Sequence, residues 1–335
     1  MKQILTLLVL RYLRFFAQLA LKMHKPIIIG VAGSVGKSST RNALYALLKD
    51  HFPTKMVYGN SETGIPLGIL GIYHTGFSSV HWLIIMLKAP KGLFYLKHTK
   101  YLIVEMGIDE PFPPKNMSYL LTIVRPDIAI SLNVSATHTM QFEKIIKKNQ
   151  TFPTDKEKRE FLIEKIAEED TKIIQDSRCA LGIFNKDDHH IVKALDTFLA
   201  KDKKTILQTF GQDKTNTIFY KDYSVSPEGS HFSFGISNSK ESLTLFFPSL
   251  MLPKEYQELF AAVIMVGKYL GLSNVQIVQA LETNFHLPHG RASLFQGTHH
   301  SLIIDSSYNA SKDAVIAFLD MLALIKKQTK RPRDK

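Results

Sequence analysis

The chain reads as an α/β protein with a mostly parallel sheet of the phosphate-loop type, flanked by helices. Three observations carry this. A strand, a Gly/Ser-rich turn and a helix follow one another over residues 27–49, short wholly apolar runs recur and end in polar residues, and helical periodicity lies between those runs.

Composition sets the frame. With 335 residues, 45% apolar and 21% charged, the chain can bury a sizeable core and divide into two or three domains, which excludes disordered and collagen-like classes. The net charge of +12 suits an anionic partner such as a nucleotide, a nucleotide-sugar, a nucleic acid or an acidic membrane surface. Cys179 is the single cysteine, so there is no internal disulfide framework, and a reducing compartment fits. His189-His190 and His299-His300 are sequence neighbours, which do not share a helix or strand face, and neither pair is read as a metal site.

Residues 4–21 are strongly apolar but interrupted by Arg11 and Arg14, which makes a full membrane span expensive. Arg11, Arg14, Gln18 and Lys22 fall along one side. The segment is therefore either an interfacial amphipathic helix or a helix packed on its own protein. A cleaved signal peptide is not expected, because export would carry the nucleotide loop that follows away from ATP.

Ile27 to Val31 is a β-branched run suited to a buried parallel strand. In Gly33-Ser34-Val35-Gly36-Lys37-Ser38-Ser39, the glycines let the backbone curl around an anion, Lys37 adds a point charge and Ser38 is placed to ligate Mg²⁺. Ala43, Leu44, Leu47 and Leu48 then recur at helical spacing, and the helix N-terminus adds to phosphate attraction. Val31 stands where the general G-x-x-x-x-G-K-[ST] pattern has glycine, leaving the shorter G-x-x-G-K-S.

A second strand is expected at Lys55 to Tyr58, then a loop from Gly59 to Gly68. Tyr101 to Gly107 is another buried strand and carries Glu105 to its C-terminal end, where ligands gather in such sheets and a carboxylate can hold Mg²⁺. Asp127 to Asn133 repeats the design, with His138 in the next loop. Residues 157–176 read as one amphipathic helix and Cys179 to Asn185 as a strand, with Lys186-Asp187-Asp188 opening the next helix. Alternating runs over 205–250 suggest antiparallel strands. A long helix starts at Pro253 and stops at Gly271. Leu287-Pro288-His289-Gly290 reads as a hinge, followed by a strand at Ser301 to Asp305, a polar loop and a helix from Lys312 to Lys326. That last βα unit is too short for an independent domain.

Together these pieces resemble the Mur ligase family, most of all its D-alanyl-D-alanine-adding branch, from about Pro26 to Ala317. The matching elements are Ala32 to Ser38, Asn60 to Leu67, Glu105-Met106-Gly107, Asn133 to His138, Asn185 to Asp188, Gly290-Arg291 and Asp305 to Ala310. The resemblance implies a Mur ligase central ATP-binding domain at 26–288, preceded by an amphipathic or membrane-associating helix at 1–25. Residues 289–335 would be the truncated start of a Rossmann-like C-terminal ligase domain. It further implies ATP-dependent amide formation through an acyl phosphate in peptidoglycan precursor synthesis, with ATP and Mg²⁺ as cofactors. Lys37, Glu105, His138 and Arg291 would serve catalysis. Gly33 to Ser39 would bind the nucleotide with Asp305 and Asn309, and Ser38, Glu105 and His138 would hold metal. In the helix where the family carries a carbamoylated lysine, this chain has Asp170, a carboxylate on a shorter arm for the second metal. Glu258 stands where the family has a nucleotide-contacting asparagine.

The implied partners are a nucleotide-sugar peptide, an amino-acid or dipeptide donor and a second polypeptide completing the C-terminal domain, with no nucleic acid. A membrane surface could be met through residues 4–21, at the inner face of the plasma membrane. Two rival functions are another amide ligase of the same superfamily, of the folylpolyglutamate or cyanophycin synthetase kind, and a non-catalytic nucleotide-binding scaffold.

Overall fold

The computed structural model describes residues 2–73, 76, 78–136, 139–148, 150–177, 179–201, 204–288, 290–308 and 312–328. Its strands are β1 (Ile27–Ala32), β2 (Thr54–Met56), β3 (Tyr101–Glu105), β4 (Ile128–Ser131), β5 (Leu181–Asn185), β6 (Ile206–Gly211), β7 (Ile218–Ser226), β8 (Gly229–Ile236), β9 (Ser242–Pro248), β10 (Ser293–Gln296) and β11 (Leu302–Asp305). The first nine form one sheet in the order β2-β3-β1-β4-β5-β6-β7-β8-β9, and β10 and β11 pair separately. The chain divides into two compact units, residues 1–41 with 48–208 and residues 42–47 with 209–335.

In the first unit every pairing around β1 is parallel. Val31 lies beside Glu105 of β3, and Ala32 lies beside Ser131 of β4. β3, β4 and β5 are buried along their whole length, as apolar runs in a doubly covered parallel sheet require. The parallel direction of the strands brings the ends carrying Glu105, Asn133 and Asn185 to the same end of the sheet as the glycine loop after β1. Two helices can be labelled here: α1 (Lys2–His24) and α2 (Lys37–Leu48).

α1 is packed on its own protein along one side, where Leu10, Leu13, Ala17 and Ala20 are buried. Two residues of the polar stripe bond to the rest of the chain at the surface: Arg14 donates to Thr122 Oγ1 at 3.0 Å and Gln18 donates to Thr122 O. Arg14 also lies over the Tyr119 ring. No described helix is long and apolar enough to cross a membrane.

Three elements differ from the sequence expectations. The segment expected as loop, 59–68, contains the helix Gly64–Ile69, whose Ile65, Pro66, Leu67 and Ile69 are buried; its glycines and proline disguise a short turn of apolar residues. A helix over Ser79–Gly92 is not evident from the sequence, because it is apolar nearly all round and shows no clean period. The helix expected over 157–176 is two pieces, Asp155–Asp170 and Lys172–Gln175, separated where Thr171 Oγ1 bonds back to Ala167 O at 2.7 Å.

In the second unit β7, β8 and β9 form the expected antiparallel meander, and β6 meets β7 in parallel over two residue pairs. The helix Tyr256–Tyr269 buries ten of its residues. Phe260 stacks on Phe247 at 4.7 Å between ring centres, with Phe232 and Phe285 within 5.3 Å, giving this unit an aromatic centre. The strand expected at 301–305 is present as β11. It pairs antiparallel with β10, a strand the sequence did not announce, because so short a connection allows a hairpin and not a parallel crossover.

Candidate nucleotide-binding site

The loop after β1 has the backbone its glycines permit. Gly33 sits at φ +138° and Gly36 at φ +88°, conformations that side-chain-bearing residues rarely adopt. Asn133, at the end of β4, closes the turn from the other side: its carbonyl accepts from Ser34 N at 2.8 Å, its Oδ1 accepts from Val35 N at 2.9 Å, and its Nδ2 donates to Val35 O at 3.2 Å. Ser34 Oγ accepts from Ser135 N at 2.9 Å. The loop amides of Ser34 and Val35 thus hold the loop's shape, and the anion-attracting element is the start of α2 at Lys37, the positive end of the helix dipole. Lys37 folds its ammonium over the loop, donating to Gly33 O and to Ser34 O at 3.1 Å. Ser39, in that first turn, is buried.

Glu105 is the hub beside the loop. One carboxylate oxygen accepts from Ser38 Oγ and from Asn60 Nδ2, each at 3.1 Å, and the other pairs with Arg41 at 3.2 Å. Glu105 is 3% exposed, so this charge is held by a guanidinium and two neutral donors in a place water does not reach. Arg41 also donates to Val57 O and Tyr58 O, tying α2 to the strand end that leads to Asn60. Arg41 does not stand out in the sequence. The available signal was its place one turn after Lys37, on the helix side that faces the glycine loop.

Asp170 is buried and neither carboxylate oxygen has a hydrogen-bond partner among the described residues. Burial pushes its carboxyl up to about 7, opposed by the positive charge of Lys37 and reinforced by Glu169 and Asp188. A buried carboxylate with no hydrogen-bond partner among the described residues is a candidate cation ligand, and the positive charge of Lys37 favours its ionised form. Ser38, Glu105 and Asp170 supply hard oxygen donors and fit Mg²⁺ by their chemistry. Asp188 serves the fold instead. Its Oδ2 accepts from Val134 N at 2.7 Å and its Oδ1 accepts from His190 N and Ile191 N, fastening the loop after β4 to the helix His189–Lys201.

The second unit holds Arg291 and Asp305. The Arg291 guanidinium lies over the Tyr308 ring at 5.0 Å, and Tyr308 N donates to Gly290 O at 2.9 Å. Asp305, at the end of β11, accepts from Ser307 N at 3.0 Å, and hydrogen bonds from Ser307 hold its carboxyl below the usual range. His138 and Asn309 lie outside the described residues. His189 and His190, not expected to bind metal, both place Nε2 3.5 Å from Glu160 Oε1 at the exposed start of their helix.

Residues 31–150 match the Mur ligase middle domain. The chain is 23% identical over 301 residues to the UDP-N-acetylmuramoyl-tripeptide–D-alanyl-D-alanine ligase of Buchnera aphidicola subsp. Baizongia pistaciae, covering 88% of this chain and 53% of that protein. Among solved structures, MurF from Acinetobacter baumannii superposes with a TM-score of 0.71 at 19% identity, over 94% of this chain and 58% of the other. MurF ligase from Thermotoga maritima in complex with ADP gives 0.68 at 23% identity, over 94% and 61%. An FPGS–AMPPCP–folate complex gives 0.62 at 13% identity, over 96% and 77%. The chain spans just over half the length of the curated relative.

Proposed function

We propose, from the match of residues 31–150 to the Mur ligase middle domain, that this chain is a Mur ligase and the nucleotide-binding part of an ATP-dependent amide-bond-forming ligase of peptidoglycan precursor synthesis. The observation that carries the proposal is the meeting of Lys37, Ser38 and Glu105 at the turn between β1 and α2, with the buried carboxylate of Asp170 near enough to feel the charge of Lys37. A substrate carboxylate would attack the γ-phosphate of ATP to give an acyl phosphate and ADP, and an amine would then displace phosphate. The start of α2 and Lys37 would bind the transferring phosphoryl group, with Lys37 exchanging its two loop carbonyls for phosphate oxygens. Ser38 and Glu105 would hold Mg²⁺, which would supply charge neutralisation for the phosphates. Asp170 would take the place of a carbamoylated lysine toward a second ion together with His138. Arg291, Asp305 and Asn309 would contact the nucleotide.

The acceptor we infer is a UDP-MurNAc-peptide and the amine donor D-alanyl-D-alanine, on the side of the membrane where ATP is found. Residues 26–288 would be the central domain and 289–335 the start of a C-terminal ligase domain. Phe295, Leu302 and Ile303 of the hairpin and Leu319 of the last helix are exposed, which supports a covering domain supplied by further polypeptide.

The test is ADP release on mixing the chain and a separately produced C-terminal ligase domain with ATP, Mg²⁺, UDP-MurNAc-tripeptide and D-alanyl-D-alanine, with product followed by mass spectrometry. Release that needs both substrates and is lost in Lys37→Ala supports the proposal. Release indifferent to both substrates refutes the assigned substrates. Amide product from the chain alone would show that no second polypeptide is needed. The similarity to the FPGS complex supports a second reading, a ligase for a different carboxylate, which the same assay with folate and glutamate resolves.

A further inference from the structure

The helix Ser79–Gly92 is buried on one side through Ile85, Ala89 and Gly92, yet its outward side is also apolar. Val80, Leu83, Ile84 and Leu87 follow the i, i+3, i+4, i+7 spacing of a single helix face, and Leu83 and Leu87 are 60% and 69% exposed. The helix packs beside α1, where Tyr12 Oη donates to Met86 O at 3.0 Å. Opposite its own buried side, α1 presents Leu8 and Phe15, two turns apart and both more than half exposed. Both helices press their inner sides into the same hydrophobic core, and each carries exposed apolar side chains on its outer side. A water-facing surface of this kind marks a docking site.

Charge decides the occupant. The two helices contain no Asp or Glu, and Arg11, Lys22, Lys88 and Lys91 are exposed on them. More widely, residues 1–100 hold thirteen Lys and Arg against two acidic residues, so nearly all of the net charge of +12 sits in this part of the chain. A second copy on this face would bring like charges together. An apolar face carrying Leu and Phe with Lys and Arg at its borders is complementary to an anionic lipid surface, with the apolar side chains entering the headgroup boundary and the basic ones meeting lipid phosphates.

We propose that α1 and the helix Ser79–Gly92 together form a peripheral docking face for an anionic membrane surface. The face includes an element that is not evident in the sequence, and it does not depend on the ligase assignment. The full chain is to be sedimented with vesicles of phosphatidylcholine alone and of phosphatidylcholine with phosphatidylglycerol. It should pellet with the anionic vesicles, less so at high salt. Leu83→Ser/Leu87→Ser and, separately, Lys88→Glu/Lys91→Glu should each weaken binding by about tenfold or more. Both variants change exposed side chains, and an unaltered thermal midpoint confirms that they fold. The proposal is overturned if the wild-type chain stays in the supernatant with anionic vesicles, or if both folded variants bind as the wild type does. It is equally overturned if the serine variant loses only self-association or capture of a protein partner.

Discussion

Arg41 pairs with Glu105 at 3.2 Å, with side chains only 10% and 4% exposed. This contact fixes α2, one turn after its start, to the end of β3 and sets the position of the carboxylate that faces Ser38. Removing one partner of a buried pair leaves the other charge uncompensated, at a cost of about 3–5 kcal/mol.

Arg41→Leu should therefore lower the free energy of unfolding by that amount in urea titrations. The double variant Arg41→Leu/Glu105→Leu should recover part of the loss, because it no longer strands the carboxylate. A double variant less stable than Arg41→Leu alone would mean that Glu105 still stabilises the fold through Ser38 and Asn60 without its partner.

Asp170 gives a pH signature. Its carboxyl in the folded chain titrates near 7 against an ordinary 3.8, so between those values the folded state keeps a proton that the unfolded chain releases. Stability from this group is complete below about pH 4, declines as pH rises toward 7 and stays low above it, by up to roughly 4 kcal/mol. In cation-free buffer, Asp170→Asn should be more stable than the wild type at pH 8 and should flatten the pH dependence between 5 and 8. Parallel curves for the two proteins would mean that Asp170 is already ionised with a compensating partner.

The N-terminal helix offers a contrast between its two sides. Leu13 is fully buried and Phe15 is 59% exposed. Leu13→Ala should cost about 2–5 kcal/mol, whereas Phe15→Ala should stay within about 0.5 kcal/mol. Thermal unfolding of both variants measures this, and equal effects would mean that α1 is not docked as described.

The local parts of the site were legible in the sequence. The β1–loop–α2 order follows from a β-branched run, two glycines and helical spacing within some twenty residues, and Glu105 announced itself as a carboxylate at the end of an apolar strand. The tertiary parts were not. Arg41 looks like any surface arginine until β3 is placed beside α2. Asn133 ends the strand expected at 127–133 and opens the matched element Asn133 to His138, but its hold on Ser34 and Val35 needs β4 next to β1. The helix Ser79–Gly92 defeats periodicity because both of its sides are apolar, and the Gly/Pro punctuation of 59–68 hid the buried Ile65, Pro66 and Leu67.

The central claim is that the turn between β1 and α2 binds a nucleotide through Lys37. The most direct measurement is isothermal titration of Mg²⁺-ATP into the chain and into Lys37→Ala. Saturable, Mg²⁺-dependent binding that is lost in the variant is the expected result. Equal binding by the two proteins, or none by either, would contradict it.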